Sequence, residues 1–535
     1  MSLFNKLVPN YITNEANGIA FKINFQEELF RLVTTSFLND TFYKTKEEEL
    51  SRLQDLIQEC LIIDPAFVLW LAETARIEYN MRTTTHVLIW EIVKTLKGEN
   101  FKLKDFIYNS ITRVDDMVEI LSYILPEGKS NKKDRKWKLS HSLVKAYKQL
   151  LWFKTKKWII VEWKFNEYQL AKYNRKGKIN LKDLVVLSHS NSILSWKILN
   201  NELKTPFTWE VEISKLDKND YLKRFEVWNR LLSEKKLPYM ALLRNLRNIS
   251  NDYIEYAKYN NLTLTDIKKS TFLKNTINYL TNKEVVLKSK QMPFRYLSAY
   301  KTMKELKKDN DNEDSKTNLI YNIFISWIKI AATHSVKNLE IKWKTAIFAD
   351  VSYSMVSPVS SKSKINCIDI ALLFWWMTKV MSKNSISWIF WDQAKLKDLN
   401  GDSVFEMNDN YKKWEVWYAT NWYKSIDLLL EKEIKVDKIF LFTDMELYWD
   451  DWMNDSKSKT QIDKSLIKYR KKYWNVKVYI FNLSSSSTDV SNQNWVYTIS
   501  GWSDKIFDYI DVLDNMGKKD HINNIRKKWE KYLIK

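Results

Sequence analysis

Apolar residues recur at three- and four-residue spacing through most of residues 25–305, the signature of helices that bury one face. "EELSRLQDLIQECLII" (48–63) and "DPAFVLWLAETARIEYN" (64–80) show it plainly. Asp64 before Pro65 predicts an N-cap with proline at the first helical position. "NLKDLVVLSH" (180–189), "YLKRFEVWNRLLSE" (221–234) and "YMALLRNLRNI" (239–249) continue the pattern. No strict repeat is visible, but successive short helices predict a helical-repeat array that extends or closes into a ring. The polar stretch "KKDNDNEDSKTN" (307–318) predicts a loop.

After about residue 340 the period changes. "TAIFAD" (345–350), "SISWIF" (385–390), "DKIFLFTD" (437–444) and "VKVYIFNL" (476–483) are short apolar runs. Helix-like stretches separate them: "INCIDIALLFWWMTKVM", "NWYKSIDLLLEK" and "KSLIKYRKKY". Such alternation predicts a parallel sheet, doubly wound with helices on both faces. Sites in such sheets lie beyond the carboxyl ends of the strands, where Asp350 and Asp444 fall.

A chain of 535 residues is long for one core, so two or more domains are expected. Cys60 and Cys367 have no paired spacing, which argues against a disulfide framework or a thiolate zinc site and suits a reducing compartment. The sequence has no secretory pattern at its start and no apolar run of spanning length, so a cytoplasmic protein without membrane partners is expected. The net charge of +21 is unevenly placed: Lys+Arg number 56 against 40 Asp+Glu before residue 341, and 30 against 25 after it. That surplus predicts a polyanionic partner for the first part, although a lysine-rich chain favouring solubility would also produce it.

Asp350, Ser352 and Ser354 form D-x-S-x-S directly after an apolar run, Thr420 precedes a predicted helix, and Asp444 follows another run. Two carboxylates and three hydroxyls from three loops suit a hard cation such as Mg²⁺, which takes about six oxygen ligands. Neutral hydroxyls leave such an ion able to accept a partner's carboxylate. This set resembles the metal-ion-dependent adhesion site of von Willebrand factor A domains. The five histidines (86, 141, 189, 334 and 521) lie away from both aspartates in sequence, and no phosphate-loop, zinc-protease or nucleophile-elbow motif occurs, so an enzyme is not expected.

Three further stretches, "NEYQLAKYNRKGKINLKDLVVLSHS" (166–190), "LPYMALLRNLRNIS" (237–250) and "KQMPFRYLSAYK" (290–301), resemble the TROVE module of Ro ribonucleoproteins. "LAETARIEYNMRTTTHVL" (71–88) and "ISGWSDKIFDYI" (499–510) extend the likeness. The resemblance implies a ring of HEAT-like repeats over residues 20–340, a von Willebrand A-like domain over 341–515, and a C-terminal helix over 516–535. It implies small noncoding RNA on the ring, single-stranded 3′ ends of misfolded RNA in its hole, and work beside an exoribonuclease in RNA quality control or processing; DNA is not expected. The family's RNA-contacting positions map onto Lys172 and Lys176, with Arg175 adjacent, and onto His189. Arg244 and Arg247, three apart on one helical face, are candidates for RNA contact or for a solvated or ion-paired stripe, and Arg76 and Arg82 share that ambiguity. A different reading of the chain is a protein-interaction scaffold acting through the metal-dependent domain.

Glycine occurs 7 times and tryptophan 24, whereas ordinary usage of about 7% would give roughly 37 glycines. Several tryptophans sit where turns favour glycine: Trp422 after Asn421, and Trp474 between a helix and a strand. Trp137, Trp375, Trp376 and Trp391 also read more naturally as glycine. The pattern is what results when UGA codons, read as glycine in one genetic code, are translated as tryptophan by another. A genuinely tryptophan-rich core would be the alternative.

Overall fold

The computed structural model describes residues 11–13, 19–36, 38, 45–96, 101–124, 167–174, 180–188, 192–204, 208–289, 291, 293–309, 315–336, 343–358, 365–382, 384–390, 394–396, 405, 421–445, 461–484, 488–491, 493–500 and 510. The chain forms two compact units. One takes residues 23–206, 485–487 and 500–535; the other takes 1–22, 207–484 and 488–499.

The first unit is helical among its described residues. Its helices are α1 (Phe25–Thr35), α2 (Lys46–Ile63), α3 (Pro65–Ile77), α4 (Thr83–Thr95), α5 (Leu103–Ser110), α6 (Asp116–Ile124), α7 (Glu167–Tyr173), α8 (Leu181–Ser188) and α9 (Ile193–Asn200). Local chemistry sets the starts: Thr45 and Glu48 make a capping box on α2, and the Asp64 side chain accepts from Phe67 N–H just ahead of Pro65. The apolar stripes meet in one core that includes Leu29, Leu53, Val68, Leu88 and Phe106. A charged knot also holds this unit together. Asp116 Oδ1 accepts from Arg82 Nε at 2.9 Å and lies 3.2 Å from His86 Nε2, while Oδ2 accepts from the Thr112 and Arg113 N–H groups at 3.0 and 2.9 Å. Arg76 Nη2 lies 3.3 Å from Oδ2, and Arg82 also pairs with Asp115 and Glu119. Arg76 and Arg82 are thus structural ion-pair partners.

The second unit begins with the strands β1 (Tyr11–Thr13) and β2 (Ile19–Lys22) and continues with helices α10 (Trp209–Ser214), α11 (Tyr221–Ser233), α12 (Tyr239–Tyr259), α13 (Leu264–Lys269), α14 (Thr271–Leu280), α15 (Lys283–Ser289), α16 (Pro293–Asp309) and α17 (Ser315–Val336). The polar stretch 307–318 is largely helical where described: α16 runs to Asp309 with Lys307 and Lys308 in its last turn, where cations complement the helix dipole, and α17 resumes at Ser315. By length and composition α17 could cross a membrane, yet Ile320, Phe324, Trp327, Ile328 and Ala331 are buried inside this unit, as in a core helix.

The sheet follows: β3 (Thr345–Asp350), α18 (Cys367–Met381), β4 (Ser385–Phe390), β5 (Ala394–Leu396), α19 (Tyr423–Glu431), β6 (Lys438–Thr443), α20 (Gln461–Lys472), β7 (Lys477–Asn482), β8 (Thr488–Asp489) and β9 (Val496–Ser500). Strand order is β5-β4-β3-β6-β7-β9, with β3 parallel to β4 and β6, β6 parallel to β7, and β5 antiparallel on β4. Ile426 and Leu466 of α19 and α20 pack with Phe348, Leu441 and Val478 on one face. On the other, Phe374 of α18 stacks on Phe442. This is the doubly wound sheet the alternation predicts.

Two connections cross the change of pattern near residue 340. Lys301 of α16 pairs with the buried Asp369 of α18, and Tyr300 packs on Phe405 with ring centroids 4.4 Å apart. At the other end of the chain, β2 pairs antiparallel with β8, Phe21 opposite Asp489, so the amino-terminal strands join the sheet-bearing unit. The segment 516–535 lies outside the described residues.

The tryptophans divide by environment. Trp228 is fully buried and its indole donates to Asp252 at 2.9 Å, the partnering expected of a buried indole. Trp375, Trp388 and Trp422 are fully buried too, yet each indole N–H lacks a hydrogen-bond partner. Trp474 is 82% exposed, and the left-handed position of that turn is Asn475, with φ of 69°, one residue beyond where the sequence places it. Asn tolerates that conformation through local hydrogen bonding of its short side chain.

Candidate metal site and basic surfaces

β3 is central in the sheet, and the chain passes first to β4 on one side and later to β6 on the other. The carboxyl ends of β3 and β6 therefore form the crevice where such sheets place their sites. Asp350, the last residue of β3, is fully buried. Its Oδ1 accepts from Ser352 N–H at 2.9 Å and its Oδ2 from the Thr443 hydroxyl at 2.6 Å. Ser352 and Ser354 hold their hydroxyl oxygens 3.3 Å apart. Asp444 follows β6, is buried, and has its carbonyl held by the Ser484 hydroxyl at 2.5 Å. Met445, next in the chain, takes a φ of 70°, a left-handed turn costing a non-glycine residue about 1–2 kcal/mol. Burial pushes the Asp350 carboxyl up to about 6, with the Thr443 and Ser352 hydrogen bonds opposing it. No lysine or arginine pairs with Asp350 among the described residues, so a cation would supply the missing compensation. Oxygen donors alone suit a hard divalent ion. Among the described residues no group of three or more His, Cys, Asp or Glu gathers to hold a metal, so this site offers two carboxylates and hydroxyls rather than an acidic cluster. Thr420 lies outside the described residues; its neighbours Asn421 and Trp422, at the start of α19, are buried.

Of the positions the resemblance assigns to RNA, Lys172 is exposed in the last turn of α7, whereas Arg175, Lys176 and His189 lie outside the described residues. Nearby, Arg113 stacks over the Tyr173 ring, 4.8 Å from its centroid.

Arg244 and Arg247 stand exposed on α12 and line a cavity of about 270 Å³ between α12 and α16. Arg295 of α16 joins them, with Gln291, Ser298 and Thr302 as polar lining and Met240, Leu243 and Met303 among the apolar wall. No carboxylate pairs with Arg244, Arg247 or Arg295 among the described residues. Desolvation first, and then the Arg244 charge, hold the Arg295 guanidinium below the ordinary arginine range. Sequence reading missed Arg295, and it missed Thr443, which orients Asp350. The available signal for Arg295 was a cation at the start of a helix whose first turn contains no acid.

Comparison with known proteins bears on both regions. A family model described as "TROVE domain" matches residues 200–357, which take in α12, α16 and the D-x-S-x-S loop. Telomerase protein component 1 of Rattus norvegicus is 35% identical over 105 residues, and that of Mus musculus 34% over the same length. Those alignments cover 20% of this chain and 3% of each relative, so the chain spans a small part of their length. The crystal structure of the Deinococcus radiodurans Ro (RSR) protein shares the fold, with a TM-score of 0.54 at 13% identity over 90% of this chain and 97% of that one.

Proposed function

We propose that this chain, which matches the TROVE domain over residues 200–357 and shares the fold of a Ro protein, binds small noncoding RNA and the single-stranded 3′ ends of misfolded RNA, in RNA quality control or processing. The observation that carries this reading lies inside the TROVE match: Arg244 and Arg247 face a cavity with no acid among the described residues to neutralise them. Unpaired guanidiniums in a part of the chain with a large cationic surplus attract phosphate and release its counterions. Lys172, Arg175, Lys176 and His189 form the second contact surface in this reading, holding folded RNA on a ring of helical repeats. The protein is a binding module rather than an enzyme, and an exoribonuclease is the partner that would consume what it holds.

In the same reading Asp350, Ser352, Ser354, Thr420 and Asp444 hold Mg²⁺. Held by these residues, such an ion would offer an open coordination position to a carboxylate of a partner. Asp350 carries the charge, Thr443 and Ser352 N–H fix its orientation, and the serine hydroxyls keep the site short of neutral.

The test is a double variant, Lys172→Glu with Lys176→Glu. Its affinity for a structured small RNA at moderate salt falls by at least tenfold while the far-ultraviolet circular dichroism stays unchanged. Equal affinity of variant and parent would refute the surface assignment.

A further inference from the structure

The three arginines at the α12–α16 cavity come from two elements and converge on one small space. Arg244 and Arg247 are three apart on α12, hence neighbours on its surface. Arg295 sits in the first turn of α16, and Ser298 and Thr302 continue along the same face of that helix. Neither α12 nor α16 has an acidic residue in its first turn. A cation at a helix N-terminus opposes the helix dipole, which favours anions there. The site thus sums two unfavourable terms in the free protein, a cation against a helix's positive end and one guanidinium against another. An anion would relieve both at once.

We propose that this cavity recognises a terminal phosphate of single-stranded RNA, its three arginines clasping the phosphate and its apolar wall taking the attached nucleoside. The proposal rests on the RNA-binding reading and deepens it. A terminal monoester carries about −1.5 to −2 charges near neutral pH and three acceptor oxygens, whereas an internal diester has one charge. Planar guanidinium forks pair bidentately with such oxygens, and three of them exceed what one diester would use. The volume of about 270 Å³ lies just below the usual range of ligand sites, about 300–1,000 Å³, and suits one nucleotide unit rather than a run of strand. Met240, Leu243 and Met303 offer the apolar contact a base or ribose face requires, and Gln291, Ser298 and Thr302 offer hydrogen bonds to its edges.

The test uses the full chain and one short unstructured RNA made in three forms: 5′-phosphate, 3′-phosphate, and hydroxyl at both ends. One phosphorylated form binds at least tenfold more tightly than the hydroxyl form, inorganic phosphate competes that advantage away, and Arg295→Gln abolishes it. The arm that shows the advantage identifies which end is held. Equal affinity for all three forms overturns the proposal. So does a loss in Arg295→Gln that is the same for phosphorylated and hydroxyl RNA, since the arginines would then meet internal diesters. A parallel titration of the unmutated chain with structured RNA reads the parent proposal separately. If structured RNA is bound but ends are not distinguished, the cavity assignment alone fails; if neither is bound, RNA binding itself fails.

Discussion

Replacing Asp116 by asparagine tests whether the α3–α6 charged knot is a structural element rather than an RNA-binding surface. The substitution is isosteric. An asparagine amide oxygen in the Oδ2 position can still accept from Thr112 and Arg113 N–H. Its Nδ2 would then occupy the Oδ1 position, turning the contact with Arg82, which can only donate, into donor against donor. Arg76, itself 8% exposed, would lose its charged partner inside the fold. Removing one member of a buried pair costs about 3–5 kcal/mol, because the other charge stays buried. For a unit of this size that corresponds to a melting shift of about 6–20 °C. The full chain is followed by circular dichroism on heating. Amide exchange then locates the change, rising in peptides of 65–124 and staying level in peptides from β3 and β6. The pH dependence has a definite sign. Burial pushes the Asp116 carboxyl up, but the His86 hydrogen bond and the Arg76, His86 and Arg82 charges together outweigh it and hold the group well below the usual range. Its contribution is therefore complete above the unfolded carboxylate value of about 4 and fades as pH falls below that, towards the folded value. A loss below about 1 kcal/mol, typical of exposed pairs, would refute the argument.

Mg²⁺ should raise the melting temperature of the unmutated chain relative to chelator, and Asp350→Ala should abolish the difference; saturation at 100 times Kd corresponds to about 2.7 kcal/mol, and identical curves for the unmutated chain would remove the metal from the account. Lys301→Met should destabilise the α16–α18 packing by about 3–5 kcal/mol, since Asp369 is fully buried beneath it; amide exchange of α18 reads this, and unchanged protection would show that Asp369 has other compensation. The coding DNA should carry UGA at Trp375, Trp376, Trp391, Trp422 and Trp474, and UGG at these positions would leave the tryptophans native. Each buried indole N–H without a partner costs about 1–3 kcal/mol, which is the physical reason to expect glycine at Trp375 and Trp422.

Periodicity made the architecture legible. The helical spacing of 48–80 and the apolar runs ending at Asp350 and before Asp444 correspond to α2, α3, β3 and β6 because each segment buries one continuous surface. The pairing of β2 with β8 was not legible, since it joins residues more than 460 positions apart through short strands with no strong alternation. Nor was the grouping of α10–α17 with the sheet. It depends on Lys301 meeting Asp369 and Tyr300 meeting Phe405, contacts that no local pattern encodes. At the candidate sites, D-x-S-x-S announced its loop through local sequence, while Thr443 was hidden as an ordinary strand residue until its hydroxyl was found on Asp350. Arg244 and Arg247 were visible as a helical pair. Their lack of a counter-charge, and the arrival of Arg295 from another helix, are properties of tertiary packing alone.

The most direct measurement is the affinity of the full chain for a small structured RNA with a free single-stranded 3′ end, taken across a series of salt concentrations. Several phosphates held at once predict a steep linear fall of log K with log salt, about −0.7 for each single-stranded phosphate contact, with tighter binding than to the same RNA lacking its overhang. Weak affinity with a shallow slope and no regard for structure or overhang would contradict the account and favour a protein-interaction scaffold.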